Sequence, residues 1–541
     1  MPAPHAQYGF NEEQKAGQFP IKIVGGNNFG RYPKISQEQT WNLIVSDNFL
    51  VPYAGYKNVL STNSTGVGRG LYSSTIGGLM LAVIGSAVYA ITQTADMFVY
   101  QQVGNVFTTV GPVFMDENNS QQIAFTDGVY VYVYNYSSGL FSSSAPFAPN
   151  TFTFPFQNPG FISFQNGRLI IACDGTQTWA LSAFNDALTW TNTSSTTGTI
   201  QSKPCFIQAA VPLPGGGNNI IVFGTNVAES WQDLGLALFP YQRNASFNID
   251  YGCINASSIA SLENFIVWIS YNESSGPSLS YMQGSQVKRI STDGIDFKLS
   301  SLTNPSNCLG FLFRQDGHII YQFTFVEDNL TYAYDFNTSL FFTISDDDLN
   351  YHIARQVVFF NNQYYFVSLN DANLYQFGTQ FTNADYGNGI VNQLPRIRVT
   401  PPMRLPDQRY YIGKSVGFTI EQGQLNNALL ISQIPEENPL LITTESNIFI
   451  TTESGSFISA ESEPAIEFDY TLLSEAVDIS ISRDGGYSFG SAQRLSMNPT
   501  GQRLSRFIYQ RLGIVNDMTF QFRFSGFGRF VCTDGIVEVY Q

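Results

Sequence analysis

The sequence predicts an all-β protein: a β-propeller with an additional C-terminal β-sandwich-like domain. Three observations predict it. The 541 residues include 45 Phe, 29 Tyr and 46 Gly, and only 13% of them are charged; aromatic and β-branched side chains suit pleated surfaces, and Gly closes turns. One phrase recurs along the chain: a short apolar run, an Asp-Gly or Asn-Gly turn, a second apolar run and a polar loop. Four prolines between 392 and 408 then interrupt that phrase, as a linker or an exposed edge would. The length suits two or three domains, since all-β domains reach roughly 200 to 250 residues.

Residues 1–59 read as an N-terminal arm and first strands. The opening "MPAPHAQYGFNEEQKAGQ" has neither a basic n-region nor an apolar h-region, so a secretory signal is not expected and synthesis in a cytoplasm is. Residues 60–391 read as the propeller. Its most apolar stretch, "GGLMLAVIGSAVYAIT" (77–92), is too short for a bilayer. The Gly85-Ser86 break in its middle predicts a buried hairpin. Further hairpins follow at "IAFTDGVYVYVYNY" (123–136), "FISFQNGRLIIACDG" (161–175), "FLFRQDGHIIYQFTF" (311–325) and "VVFFNNQYYFVSLN" (357–370), because Asp-Gly and Asn-Gly supply the positive φ of tight hairpin turns. "LTYAYDFNTSLFFTI" (330–344) reads as the end of a blade, and loops of uneven length hide the blade number. Residues 392–541 read as the second β domain, with a linker over 392–408. Within it, copies beginning at Ile442, Ile450 and Ile458 carry Glu445, Glu453 and Glu461 at equivalent places. They predict a small meander over 442–463, a solvated insertion.

Little in the chain is suited to chemistry. The 26 basic against 42 acidic residues give a formal charge of −16 without a basic run, which argues against a surface that grips phosphate. Five cysteines without a CxxC pair predict reduced, mostly buried thiols. His5, His318 and His352 lie on unrelated segments and read as structural. Nucleotide-binding, zinc-protease and nucleophile-elbow motifs are absent. Asp346, Asp347 and Asp348 lack the spacing of a calcium loop and read as solvated. No catalytic residue, metal ligand or cofactor site is therefore expected.

"SISRDGGYSFG" (480–490) resembles the Asp box of sialidases and other glycan-cutting propellers. In such a motif the Asp and glycines close a hairpin, the Ser satisfies turn amides and the aromatic plugs the sheet. Ser482, Asp484, Gly485, Gly486 and Phe489 supply those residues and are expected to be structural. A sialidase also needs three convergent arginines and a Tyr/Glu pair, and arginine is sparse through 60–391.

"VFGTNVAESWQDLG" (222–235), "YGCINASSIASLENFIVWIS" (251–270), "VKRISTDGID" (287–296), "DGHIIYQFTF" (316–325) and "LTYAYDFNTSLFFTI", in this order and spacing, resemble the packaged-DNA stabilisation proteins of short-tailed phages, their tail nozzle or tail-hub subunits. The signature residues of these blocks are Gly252, Cys253, Ser258, Ser291, Thr292, Gly317, His318 and Asp335. The resemblance runs from "GGNNFGRYPKISQEQTWNLIV" (25–45) to the segment 482–513. Two departures are Phe341-Phe342, where a Trp is usual, and the eight-residue repeat. The resemblance implies a structural, non-enzymatic virion protein made in the host cytoplasm. It implies a homo-oligomeric ring, of six subunits, below the portal and adaptor rings. A tail needle or plug and tail spikes or fibres would dock on it, and DNA would pass through without specific binding. The alternative is a glycan-binding or glycan-hydrolysing β-propeller, that is, a receptor-binding tail protein or a sialidase-like enzyme.

Overall fold

The computed structural model describes residues 16–30, 37–422 (apart from 96, 147, 216, 237, 285, 388 and 406–409), 475–497 and 504–540 (apart from 527). The 442–463 repeat lies outside the described residues, as does His5. Among the described residues the fold is strands, with one short 3-10 turn and one α-helix, Asp293–Ser300. No helix among them is long and apolar enough to cross a membrane.

The turns set the architecture. Asn166 and Gly167 (φ 49° and 80°), Asp316 and Gly317 (50° and 85°), and Asn361 and Asn362 (45° and 64°) all adopt the left-handed region, which matches two-residue turns to the twist of the strands they join. The apolar stretch at 77–92 is likewise a hairpin, Leu79–Ile84 with Ala87–Thr94. Hairpins of this kind build seven blades around one axis. Their inner strands begin at Gly68, Phe114, Pro159, Ile207, Gly252, Cys308 and Ala354. Six pairs of neighbouring blades each enclose their own apolar core, and blades six and seven share theirs with the sandwich. Trp179 against Trp231 (ring centroids 5.5 Å apart) joins blades three and four, and Phe223 against Trp268 (5.0 Å) joins four and five. Blade seven is closed by a strand from the other end of the chain, Gly55–Ser61, antiparallel to Asn373–Gly378. The strand Asn383–Gly387 then pairs in parallel with its far side.

The sandwich is assembled from both chain ends. One sheet runs Ala16–Ile21, Gly535–Tyr540, Tyr411–Gln422, Phe530–Cys532, Phe49–Pro52, Leu43–Ser46, with Leu504–Val515 along the other edge of Tyr411–Gln422. The facing sheet runs Gln37–Trp41, Arg396–Val399, Thr519–Ser525, Ala476–Ser482, Gln493–Ser496. Alternate residues of the two sheets meet in an aromatic core, with Phe418 edge-on to Phe522 at 5.2 Å. The second sheet continues into blade six through a parallel bridge between Trp41 and Thr343, so propeller and sandwich share a sheet.

One expectation needs correction. The span 392–408, read as a linker, contains the buried strand Arg396–Val399, paired on both sides. Pro395, Pro401 and Pro402 flank this strand and leave its ladder intact, since proline disrupts a sheet only where its missing N–H is needed.

Candidate functional site

A network of polar and charged side chains occupies the joint between blade six and the sandwich. The blade-six turn Asp316-Gly317 presents His318, whose Nδ1 lies 2.9 Å from a carboxylate oxygen of the fully buried Asp335. A carboxylate only accepts, so Nδ1 carries a proton, and Nε2 lies within hydrogen-bond distance, 3.1 Å, of the hydroxyl of Ser46. The backbone N–H of Asn337 and the hydroxyl of Thr338 also bind the Asp335 carboxylate. Beside this chain, Arg529 of the sandwich pairs with Asp316. The Gln315 side chain accepts from Ala54 N and donates to Pro52 O, and Tyr53 Oη donates to Gln322. Asn42 exchanges two hydrogen bonds with Ser345.

The order Ser–His–Asp is that of nucleophile, base and orienter in serine hydrolases. Here the serine belongs to the sandwich hairpin and the histidine to the propeller, so the pair bridges the two units. The arrangement acts as a clamp between the domains.

The signature residues fall into two groups. Gly317, His318 and Asp335 belong to this joint. Gly252, Cys253, Ser258, Ser291 and Thr292 lie in blade five and its connection to blade six. A Cβ on Gly252 would come within 2.2 Å of the Thr225 backbone, which only glycine avoids. Ser258 Oγ donates to Asn255 O at 2.7 Å, Cys253 Sγ to the same carbonyl at 3.0 Å, and Tyr321 Oη of blade six donates to Ser258 O at 2.6 Å. Ser291 Oγ accepts from Leu279 N, and Thr292 caps the helix by accepting from Ile295 N.

The residues at 480–490 stand apart, between the strands Ala476–Ser482 and Gln493–Ser496 of the sandwich. Gly485 and Gly486 have φ of 76° and 97°. The Asp484 carboxylate accepts from the hydroxyls of Ser482 and Ser488 and from the N–H groups of Tyr487 and Ser488. These bonds hold its pKa well below the ordinary carboxylate range. Asp484 is exposed and Phe489 half-buried.

Several key groups gave no readable signal in the sequence. Arg398 is fully buried and donates to Ile23 O, Gly26 O, Thr40 Oγ1 and Glu38, which ties the N-terminal segment to the sandwich. Ser46 lies in an ordinary Ser-Asp-Asn turn. A single arginine or serine in such settings has no periodic pattern to mark it.

Two further places hold clustered carboxylates or open space. Asp346 accepts from Asp348 N and Asn350 N, and Asp347 accepts from Tyr386 Oη and Asn392 Nδ2. These carboxylates fasten a loop, and no group of three or more potential metal ligands occurs among the described residues. On the propeller axis lies a cavity of about 240 Å³, lined by inner strands of six blades. Phe114 and Phe161, 5.1 Å apart, narrow it. The five cysteines are free thiols and all are buried.

No curated protein matches the chain. Among solved structures, it is similar to the computationally designed Ika8 protein, at 10% identity and a TM-score of 0.38, over 59% of this chain and 99% of that one. It is similar to the extracellular domain of a one-component system from B. thetaiotaomicron, at 11% identity and a TM-score of 0.40, over 69% and 44% of the two chains. It is also similar to U3-55K, at 8% identity and a TM-score of 0.38, over 60% and 98%. Two family models match, the β-propeller of bacteriophage P22 Gp10 over residues 31–383 and the β-sandwich of the same protein over 455–540. A propeller and a sandwich, matched in order over most of the sequence, place this chain in the bacteriophage P22 Gp10 phage-stabilisation family.

Proposed function

We propose that this protein is a nozzle subunit of a short phage tail, closing the DNA exit channel, retaining packaged DNA and conducting it during ejection. Family membership carries the coarser part: it is a structural protein of the phage virion with a role in DNA stabilisation. The finer reading is a ring of six copies below the portal and adaptor rings, carrying a needle or plug and spikes or fibres, made in the host cytoplasm and without enzymatic activity.

The observation that supports a ring most directly is the propeller axis. A cavity of about 240 Å³ lined by Phe114 and Phe161 is too small to pass a duplex, which favours a DNA path between copies. The charge of −16 per subunit suits such a wall, because each Lys or Arg contact to phosphate would be a stopping point along the duplex. Retention then depends on a constriction or a seated plug. Particles assembled without the protein are expected to package DNA and then leak it, and the purified protein to show no duplex binding at physiological salt. Tight, salt-dependent binding would defeat the repelling-wall mechanism. Particles that keep their genome yet fail to adsorb to cells would make it a receptor-binding protein instead.

A further inference from the structure

We propose that the axial cavity of the propeller is a binding site for a small oxyanion of the phosphate class, held by the guanidinium of Arg355. This inference rests on the cavity and is independent of the nozzle reading.

The cavity, about 240 Å³, is far larger than the roughly 15 Å³ that one water requires. Two arginines line it, Arg69 from the inner strand of blade one and Arg355 from that of blade seven, and no carboxylate does. The two differ in how their donors are used. Arg69 places all five N–H groups on protein oxygens: the carbonyls of Gly85, Thr108, Val110 and Gly111, and the Thr108 hydroxyl. Thr108 in turn donates to Asp127. Arg69 is therefore a structural pin.

Arg355 makes one hydrogen bond to the described residues, a long one from Nε to Arg69 O at 3.4 Å. Its four terminal N–H donors have no acceptor among those residues. Burial and then the like charge of Arg69 lower its pKa to about 10, so the guanidinium stays charged at neutral pH. A half-buried cation beside a second cation, at a cavity without a carboxylate, favours an anionic partner. The planar fork selects two oxygens of one ligand, the geometry of phosphate or of a carboxylate. Ser257 and Gln356, which carry neutral donors, also border this space. The site lies where blade seven meets blade one, so a bound anion would brace the closure of the propeller.

The test is calorimetric titration of the full-length protein with inorganic phosphate at constant ionic strength set with chloride, alongside thermal melts. Wild type is expected to bind one phosphate per chain saturably and to melt higher in its presence. Arg355→Gln should weaken binding at least about tenfold and abolish the rise in melting temperature. Arg355→Lys, which keeps the charge and loses the fork, should fall between the two, and it decides the matter if Arg355→Gln does not fold. Absence of saturable binding by folded wild type would overturn the assignment, as would equal affinity in wild type and the folded Arg355 variants.

Discussion

At the residue scale, His352 shows how burial alone makes a side chain sensitive to pH. It is fully buried, Nδ1 accepts the N–H of Ala354 at 3.2 Å, and the rings of Tyr53, Tyr56, Phe366 and Phe377 surround it. Desolvation lowers its pKa to about 3, against about 6.5 in an unfolded chain. The unfolded chain therefore takes up a proton below about pH 6.5 that the folded protein refuses until about pH 3. The stability associated with the neutral imidazole is complete above pH 6.5 and declines as pH falls, by at most about 1.4 kcal/mol per pH unit. His352→Asn retains an acceptor for Ala354 N and removes the titration. Urea midpoints of the two proteins are expected to converge between pH 7 and pH 4, with wild type losing more stability on acidification. Parallel profiles would mean that His352 is protonated within the fold. The sequence reading of a structural histidine needed only its isolation from other histidines. The depth of its burial is a tertiary fact, set by rings more than a hundred residues apart in sequence.

At the element scale, the legible features were those encoded by neighbours in sequence. The Asn-Gly and Asp-Gly turns at 166–167 and 316–317 fix hairpin register locally, and the 77–92 hairpin followed from its glycine break. Elements whose partners are distant were not legible. The strand Arg396–Val399 resembles a linker because proline flanks it, and its two arginines are buried only because acceptors such as Gly26 O and Gly526 O come from other segments. Gly55–Ser61 is a similar case, since nothing local says that it closes a blade begun three hundred residues later. It pairs with Asn373–Gly378 on one side and with Asn383–Gly387 on the other. Lys57, within it, has an exposed side chain and a backbone in the ladder. Lys57→Pro should therefore act purely on the backbone, lowering stability by about 1 to 3 kcal/mol through a lost and unsatisfied ladder hydrogen bond. The same change at Lys288, in the outermost strand of blade five, should cost less, because an edge tolerates proline better. Equal denaturation midpoints for the two variants would show that Gly55–Ser61 is dispensable to the propeller's closure.

At the scale of the whole molecule, the order of domains along the chain differs from their assembly in space. The first described strand, Ala16–Ile21, lies in the sandwich; the chain then leaves to close and build the propeller, and returns to complete the sandwich. A cut in sequence therefore cannot separate the two units cleanly. They share a sheet through Trp41 and Thr343, the polar clamp around His318, and one apolar core that runs from Phe313 and Phe366 of blades six and seven to Val416 and Phe520 of the sandwich. Separating them would expose that core and leave buried groups such as His318 without part of their network, a larger penalty than an ordinary interdomain contact imposes. Propeller and sandwich are therefore expected to unfold together. Four of the five tryptophans, Trp179, Trp190, Trp231 and Trp268, lie in blades three to five, while Cys532 is buried in the sandwich. Tryptophan fluorescence thus reports the propeller, and alkylation of Cys532, resolved by peptide mapping, reports the sandwich. Coincident midpoints in urea are the expected result, as for a single cooperative unit. Alkylation of Cys532 at urea concentrations that leave the fluorescence native would show that the sandwich opens by itself, and that the shared core contributes less than its buried rings suggest.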